Sequence, residues 1–251
     1  MSVPVVASIG TTHPWNVAGL GLDARVCAEY GVRNAGVVVA VSAQDERGVH
    51  ALHAIPSDVV RAQLAALPHS DAYRVGALAG AENVRAVAAY LRDRALTAIV
   101  VDPVFSATLG GTLVDEATYR AFVAEIVPLR SIFTPNIPEA QRLLERKIVT
   151  GDEMISAAQS LQALGPRAVL LKGGHLDGDP VDVLALPGEA HVYRGGRLPG
   201  SMRGSGCVLA AALASELARG EQIPAAVESA RAYVRAKIRA GTTFGTMQVA
   251  F

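Results

Sequence analysis

The chain has few of the features that mark several large classes of protein. Its 251 residues include two cysteines, Cys27 and Cys207, too few for a disulfide framework and without metal-site spacing. Lysine plus arginine equals aspartate plus glutamate at 23 each, so no basic excess is available to hold nucleic acid. The longest apolar run, near Cys207 to Ala214, is too short to span a bilayer. We therefore expect a cytoplasmic protein with reduced cysteines that binds neither nucleic acid nor membrane.

The composition predicts a folded chain with a substantial core. Hydrophobic residues make up 51% of the sequence and charged residues 18%, a balance unlike that of disordered segments. The length suits one large α/β domain or two small ones. Because no linker, repeat or low-complexity block interrupts the sequence, we expect a single domain over residues 1–251.

Short runs rich in Val, Ile and Ala alternate with helical patterns along the chain. The predicted strands are Val3–Ile9, Gly36–Val41, Val75–Leu78, Ala98–Val101, Ser131–Thr134 and Ala168–Lys172, followed by a hairpin of Val181–Leu186 and His191–Tyr193. The predicted helices are Gly19–Tyr30, Ser57–Leu67, Ala81–Arg94, Asp115–Val127, Pro138–Leu144, Glu153–Leu164, Gly204–Arg219 and Pro224–Arg239. This alternation favours a mostly parallel sheet covered by helices on both faces. In such sheets, ligands bind beyond the carboxyl ends of the strands.

The most informative motif is Gly204-Ser205-Gly206-Cys207, at the start of a long apolar helix. The first-turn N–H groups and the helix dipole favour an anion there, and glycines let it approach closely. We name Gly204–Gly206 the anion cradle. The same field is expected to push Cys207 toward the thiolate, which would place a nucleophile or base beside the cradle. The structural alternative is a small-residue helix start with a buried cysteine.

Charged residues follow two of the predicted strands directly. Asp102 comes after one strand, where a carboxylate either orders a loop or holds a metal. Lys172-Gly173-Gly174 ends another, and a lysine followed by two glycines can lie along a phosphate chain. Lys172 is one of only three lysines, against twenty arginines, and is the one that lies at a strand end.

Asn136 and Glu139 follow a third predicted strand. Asn136 can cap the helix that Pro138 opens, with Glu139 interacting with the dipole in the first turn. Both can also face a magnesium-bound nucleotide, directly or through water, because Mg²⁺ needs few protein oxygens. Phosphoryl transfer requires positioning, a cation, a charge clamp and a base for the acceptor hydroxyl. The charged residues that follow the predicted strands, taken together with the anion cradle, therefore predict kinase chemistry.

These motifs together resemble one kinase family. They are, in order, Gly10-Thr11, Gln44 after an apolar strand, Asp102-Pro103-Val104, Thr134-Pro135-Asn136-Ile137-Pro138-Glu139-Ala140, Leu171-Lys172-Gly173-Gly174-His175-Leu176 and Gly204-Ser205-Gly206-Cys207. From about residue 5 to about residue 235, the chain resembles the hydroxymethylpyrimidine/phosphomethylpyrimidine kinases of thiamine biosynthesis, which are close to a branch of the pyridoxal kinases. The resemblance implies a ribokinase-like three-layer α/β/α sandwich with a mostly parallel central sheet, and a homodimer.

The resemblance also implies an activity and a site. The activity is ATP- and Mg²⁺-dependent phosphorylation of 4-amino-5-hydroxymethyl-2-methylpyrimidine, its monophosphate or both. Cys207 would be the base, and Gly204, Ser205 and Gly206 would form the anion hole for the transferred group. Lys172, Gly173, Gly174 and Asn136 would bind ATP, and Asp102 and Glu139 would organise Mg²⁺. Gln44, Gly10, His13 and Trp15 would bind the substrate, with the Gln44 amide hydrogen-bonding the pyrimidine edge.

Three departures from the family pattern concern the substrate. The loop from Gly10 to Gly19 is one residue longer than the family's G-T-D-P-S-G-G-A-G and carries His13 in place of the aspartate. Trp15 in that loop either stacks on a flat ring or covers an apolar patch. Arg203 stands where histidine is frequent, and no lysine follows Asp102-Pro103-Val104 in the stretch Ala107–Gly110.

These departures keep two alternative functions open. One is pyridoxal kinase activity, which shares the chemistry and differs in the ring, although Gln44 favours the pyrimidine. The other is a non-catalytic protein that binds a ring on a kinase scaffold. Arg203, His13 or Arg47 could favour a phosphorylated substrate.

Overall fold

A nine-stranded sheet forms the centre of the molecule. The computed structural model describes residues 2–94, 98–105, 113–174, 178–200 and 202–251. The strands are β1 (Val5–Thr12), β2 (Arg33–Asp45), β3 (Gly48–Ala54), β4 (Ala72–Val75), β5 (Ala98–Val101), β6 (Ile132–Phe133), β7 (Ala168–Leu171), β8 (Val181–Leu186) and β9 (Glu189–Arg194). Their order is β3-β2-β1-β4-β5-β6-β7-β8-β9. Strands β1, β2 and β4–β7 are parallel and end at the same edge of the sheet, while β3, β8 and β9 pair antiparallel.

Helices cover both faces of this sheet. They are α1 (Gly19–Glu29), α2 (Ser57–Ala65), α3 (Ala81–Arg92), α4 (Glu116–Glu125), α5 (Ile137–Leu144), α6 (Gly151–Gln162), α7 (Ser205–Ala218) and α8 (Ile223–Ala240). Successive strand side chains point to opposite faces: Val101 packs with α2–α6, whereas Val100 packs with α1, α7 and α8. The predicted three-layer α/β/α sandwich is therefore confirmed. Within the described ranges, no helix has both the length and the apolar character needed to cross a membrane.

The strand predicted at Val75–Leu78 was placed three residues too late. The observed strand β4 is Ala72–Val75, and it pairs with β1 and β5. A charged residue, Arg74, interrupts the apolar run and hides the strand from a hydrophobicity pattern. The strand ends before Gly76, where a Cβ atom would lie only 1.9 Å from Nη1 of Arg74, so a larger residue there would displace the buried guanidinium.

Two hairpins escaped the sequence prediction. Strand β2 continues to Asp45 and turns into β3, an edge strand. In β3, His50 and His53 interrupt the apolar residues and hide the strand from a hydrophobicity pattern. Near the C-terminus, β10 (Thr243–Phe244) and β11 (Met247–Gln248) form a two-residue ladder that we name the C-terminal hairpin. The first of these hairpins carries Gln44 to the carboxyl edge of the sheet.

Candidate active site

The anion cradle lies at the N-terminus of α7. Gly204 precedes the helix with a φ of 77°, a left-handed conformation that glycine adopts without strain. A Cβ atom on Gly204 would lie 2.3 Å from the carbonyl oxygen of Val17, so the loop after β1 packs directly against this turn. Because a glycine offers no capping side chain, the first-turn N–H groups are available to an anion.

The cradle meets Lys172 and Asp102. A Cβ atom on Gly206 would lie 3.2 Å from Nζ of Lys172 and 3.7 Å from Oδ2 of Asp102. Lys172 Nζ donates a 2.8 Å hydrogen bond to Oδ1 of Asp102, whose side chain is only 2% exposed. The structure therefore brings a helix N-terminus, an ammonium and a carboxylate together at one point. Asp102 follows β5 and Lys172 follows β7, and these parallel strands end at the same edge of the sheet, so the two side chains were expected to lie close together.

Lys172 is fixed by the backbone as well as by its charge. Its N–H donates to the carbonyl oxygen of Pro135 at 2.9 Å, which extends the pairing of β6 and β7 by one step. Burial opposes the charge of Lys172, but Asp102 and Glu139 outweigh that effect and raise its pKa. Lys172 therefore remains a cation at neutral pH.

Asn136 and Glu139 form a reciprocal capping box at the start of α5, which confirms the predicted cap. Oδ1 of Asn136 accepts from the Glu139 N–H at 2.9 Å, and Oε2 of Glu139 accepts from the Asn136 N–H at 2.7 Å. Burial raises the pKa of Glu139 to about 7, with Lys172 opposing and Asp102 adding to the rise. The Glu139 carboxylate thus lies where more positive charge would stabilise it.

A buried arginine, Arg74, lies beneath these groups. Its guanidinium is 3.3 Å from Asp102 and 3.4 Å from Asp23, and all three side chains are at most 2% exposed. Burial raises the pKa of Asp23 to about 6, although Arg74 opposes the rise. Sequence reasoning missed both residues. Each could have been noticed as a charged residue inside an otherwise apolar pattern: Arg74 lies in strand β4 and Asp23 in helix α1.

Cys207 lies in the first turn of α7 and is partly buried. Burial raises the pKa of its thiol, and the nearby carboxylates of Asp102 and Asp23 add to the rise, while Arg74 opposes it. The expectation that the helix field makes Cys207 a thiolate was therefore wrong. Desolvation and two neighbouring negative charges outweigh the positive charge of Arg74, so the thiol is neutral at neutral pH.

Gly173 and Gly174 differ in what they offer a nucleotide. The Gly173 N–H already donates to Oδ1 of Asp182 at 3.0 Å, and a Cβ atom on Gly173 would lie 1.9 Å from the carbonyl oxygen of Val181. Its glycine character therefore serves close packing against β8. A Cβ atom on Gly174 would meet nothing within 4 Å among the described residues. His175, Leu176 and the stretch Ala107–Gly110 lie outside the described residues.

Gly10 and His13 occupy the end of β1 and the loop that follows. A Cβ atom on Gly10 would lie 3.8 Å from Nη1 of Arg74, so Gly10 sits against the buried guanidinium. His13 is 4% exposed, and neither ring nitrogen makes a hydrogen bond of normal geometry to a described residue. Burial and then the charge of Arg203 lower the pKa of His13 to about 4, with the Ala18 backbone opposing. His13 is therefore neutral.

Trp15 packs against the C-terminal hairpin. Its ring meets Phe244 edge to face at 4.8 Å and contacts a small apolar cluster of Val17, Met247 and Val249. These contacts favour the covering role over a free stacking platform for a ligand ring. Trp15 thus joins the first loop to the end of the chain.

Gln44 and Arg203 are hydrogen-bonded to one another. Nη2 of Arg203 donates to Oε1 of Gln44 at 2.7 Å, and Nη1 donates to the carbonyl oxygen of Asp45 at 2.7 Å. Nε2 of Gln44 donates to Oγ of Ser42 at 2.9 Å. Because the Arg203 guanidinium is engaged here, this arrangement counts against the expected role of Arg203 in binding a substrate phosphate.

Known proteins are similar to this chain in sequence and in fold. Residues 14–250 match a protein-family model described as phosphomethylpyrimidine kinase. The chain is 38% identical, over 92% of its length, to a thiamine biosynthetic bifunctional enzyme of Arabidopsis thaliana. It is 34% identical to a hydroxymethylpyrimidine/phosphomethylpyrimidine kinase of Streptomyces coelicolor, covering 96% of this chain and 91% of that one.

The chain spans about half the length of the Arabidopsis relative, 46% of it. Among solved structures, an ADP complex of Bacillus subtilis pyridoxal kinase has a TM-score of 0.88 and 27% identity. That match covers 97% of this chain and 95% of the pyridoxal kinase. The fold is therefore shared by kinases that are named for two different rings.

Proposed function

This chain belongs to the phosphomethylpyrimidine kinase family, and we propose that it transfers the γ-phosphoryl group of ATP to a pyrimidine alcohol. The acceptor is the hydroxymethyl group of 4-amino-5-hydroxymethyl-2-methylpyrimidine, the phosphate of its monophosphate, or each in turn. The proposal extends to a single catalytic domain and a cytoplasmic location, as the composition predicts, and to a homodimer, as the resemblance implies.

One observation carries this proposal: the position of Lys172 and Asp102 against the anion cradle. With a Cβ atom on Gly206 only 3.2 Å from Nζ of Lys172, a phosphate seated on the cradle amides would touch the ammonium. A protein that only binds a ring has no use for this arrangement. It suits a migrating phosphoryl group, whose charge lies on oxygens that amide donors and a cation can hold.

The carboxylates near the cradle fit a magnesium ion that is held mostly by its nucleotide. Among the residues whose positions are described, no group of three or more His, Cys, Asp or Glu side chains could hold a metal alone. Asp102 and Glu139 would hold it together with phosphate oxygens and water, the usual environment of Mg²⁺ in kinases. The raised pKa of Glu139 fits this role, because a bound cation would favour the ionised form of its carboxyl. When bound, Mg²⁺ supplies charge neutralisation at the phosphates.

The proposed reaction is an in-line displacement. The hydroxymethyl oxygen, or a phosphate oxygen of the monophosphate, forms a bond to the γ-phosphorus while the bond to the β–γ bridging oxygen breaks, releasing ADP. The cradle amides hold the equatorial oxygens and Lys172 neutralises charge beside them. The thiolate form of Cys207 accepts the proton of the attacking hydroxyl on Sγ. A thiolate with a raised pKa is scarce at neutral pH but is correspondingly more basic.

Pyridoxal kinase activity is the second candidate, favoured by the likeness to the Bacillus subtilis enzyme. The phosphate-binding groups would serve both substrates equally, so the distinction rests on the ring. Gln44 offers an acceptor and a donor side by side, which suits an aminopyrimidine better than a pyridine.

A kinase assay tests the proposal. ADP release is measured with the pyrimidine alcohol, its monophosphate and pyridoxal as separate acceptors, each at several concentrations. We expect the highest kcat/KM with one of the two pyrimidines. A higher kcat/KM with pyridoxal would support the second candidate, and no acceptor-dependent ADP from any of the three would indicate a non-catalytic binding protein.

A further inference from the structure

A chain of hydrogen bonds connects the residue before the anion cradle to the proposed ring site. It runs from the guanidinium of Arg203 to Oε1 of Gln44, then from Nε2 of Gln44 to Oγ of Ser42. Ser42 Oγ donates onward to the carbonyl oxygen of Thr12 at 3.4 Å. Arg203 is 7% exposed and also donates to the Asp45 carbonyl, so water does not compete for its position.

Arg203 determines which way the Gln44 amide points. A guanidinium has N–H donors and no acceptor, so the Gln44 atom that faces it must be the oxygen. The Ser42 hydroxyl does not fix the amide by itself, because its single hydrogen could turn from the Thr12 carbonyl, a long 3.4 Å contact, to an amide oxygen. The 2.7 Å distance between Nη2 of Arg203 and Oε1 of Gln44 therefore decides the orientation, and Ser42 only follows it.

A fixed amide presents a fixed pattern to a ligand. With one bond made at each end, Gln44 keeps one acceptor position on Oε1 and one N–H on Nε2. This pair matches a ring edge on which an amino group lies beside a ring nitrogen, as glutamine matches the edge of adenine. A reversed amide would set its donor against the amino group. Pyridoxal has no amino group next to its ring nitrogen.

We propose that Arg203 is a specificity-determining positioning residue, which fixes the Gln44 amide so that the site selects an aminopyrimidine edge. The inference rests on the proposed function, since Gln44 selects a ring only if that ring binds there. A histidine at this position could donate or accept and would leave the amide orientation open, whereas an arginine can only donate.

The test compares two substrates within each variant. The measured quantity is the ratio of kcat/KM for the pyrimidine alcohol to kcat/KM for pyridoxal. Damage to folding or to the adjacent cradle affects both substrates alike and cancels in this ratio. Arg203→Met removes the donors and keeps an unbranched side chain, and we expect the ratio to fall about tenfold, the size of one charged hydrogen bond. The KM for the pyrimidine should carry the change, with the KM for ATP nearly constant.

Four further variants complete the design. Gln44→Ala should lower the ratio, and the double variant Arg203→Met/Gln44→Ala should fall no further than Gln44→Ala alone, because Arg203 acts through Gln44. Arg203→Lys keeps one donor for the Gln44 oxygen and should give an intermediate ratio. Arg33→Met is the matched control, since Arg33 is exposed at the opposite end of β2 from Gln44.

The outcomes separate this inference from the function beneath it. If Gln44→Ala lowers the ratio while Arg203→Met and Arg203→Lys leave it unchanged, the inference is overturned and the proposed function stands. The inference would also be overturned if Arg203→Met lowered the kcat/KM ratio by the same factor in the wild-type protein and in the Gln44→Ala variant, because Arg203 would then act without Gln44. If the wild-type protein phosphorylates neither alcohol, the proposed function fails and takes this inference with it.

Discussion

The two sides of the candidate site are built in different ways. The phosphate side comprises Asp102, Glu139, Lys172 and the anion cradle, and its first three members follow adjacent parallel strands. The ring side comprises His13, Trp15, Gln44 and Arg203, which come from loops and hairpins. Its central hydrogen bond joins residues 159 positions apart. A repeating sheet geometry places the phosphate side, whereas individual side-chain contacts place the ring side.

The two sides also differ in how their charged groups are partnered. On the phosphate side, the cations of Lys172 and Arg74 both pair with the carboxylate of Asp102. On the ring side, Arg203 donates to two uncharged acceptors, the side-chain oxygen of Gln44 and the backbone carbonyl oxygen of Asp45. The His13 side chain is neutral. Changes on the phosphate side should therefore alter the chemistry, and changes on the ring side should alter selection. The predictions below test that division.

The largest effect is expected from removal of the proposed base, Cys207. Cys207→Ala should lower kcat by about 10²–10⁴-fold, the usual loss for a general base, and should leave the KM for ATP unchanged. Steady-state kinetics measure both constants. Cys27→Ala is the matched control: Cys27 is buried between Asn34 and Ser215, so its loss should affect stability and spare activity. Turnover near wild type in Cys207→Ala would remove Cys207 from the reaction.

A smaller loss is expected from Lys172→Met. This change leaves Asp102 with Arg74 as its ionic partner and removes the ammonium beside the cradle. We expect a higher KM for ATP and a lower kcat, together about a 10²-fold fall in kcat/KM. Lys237→Met provides the control, because Lys237 pairs with Glu29 on the surface. Equal kinetics in the two lysine variants would mean that Lys172 does not contact the nucleotide.

His13 should make stability depend on pH. Its pKa is about 4 in the folded chain against 6.5 in the unfolded one, so the unfolded state binds the proton first. Stability from this residue is present above pH 6.5 and is lost as pH falls toward 4. His13→Asn should remove that loss, worth about 2 kcal/mol at pH 5.

Urea unfolding of wild type and His13→Asn at pH 7 and pH 5 measures this effect. The difference between the two proteins isolates His13 from Asp23, whose raised pKa contributes a pH dependence of opposite sign. A parallel fall in the free energy of unfolding for both proteins would show that His13 is not buried in the neutral form.

The smallest effect is expected from the loop after β1, which carries His13 and Trp15. Replacing His13 and Trp15 together by alanine should change the relative KM values for the pyrimidine and pyridoxal by about threefold, because one apolar contact discriminates weakly. The KM for ATP should stay constant. An unchanged substrate profile would place this loop outside the ring pocket and leave Gln44 and Arg203 to define the ring side.

Sequence reasoning succeeded where local patterns decide the structure. The alternation of apolar runs and helices predicted a mostly parallel sheet covered by helices on both faces, and the cap at Asn136 and Glu139 followed from residue type and spacing. It failed at Arg74, because a charged residue inside a strand breaks the apolar pattern on which strand prediction relies. It also missed the bond between Arg203 and Gln44, since nothing in either segment indicates that a distant partner exists.

The protonation state of Cys207 illustrates a second limit. The helix start was correct, and its dipole alone would favour the thiolate. The opposing effects are burial and the carboxylates of Asp102 and Asp23, which reach Cys207 only through the tertiary fold. Position in the sequence therefore predicted the location of the thiol and not its charge.

The most direct measurement is a crystal structure with a non-hydrolysable ATP analogue and the pyrimidine alcohol. The account predicts that the terminal phosphorus lies over the amides of Gly204–Gly206, with Nζ of Lys172 on a phosphate oxygen and the alcohol oxygen between phosphorus and Cys207. A terminal phosphate bound elsewhere along the sheet, away from the start of α7, would contradict it.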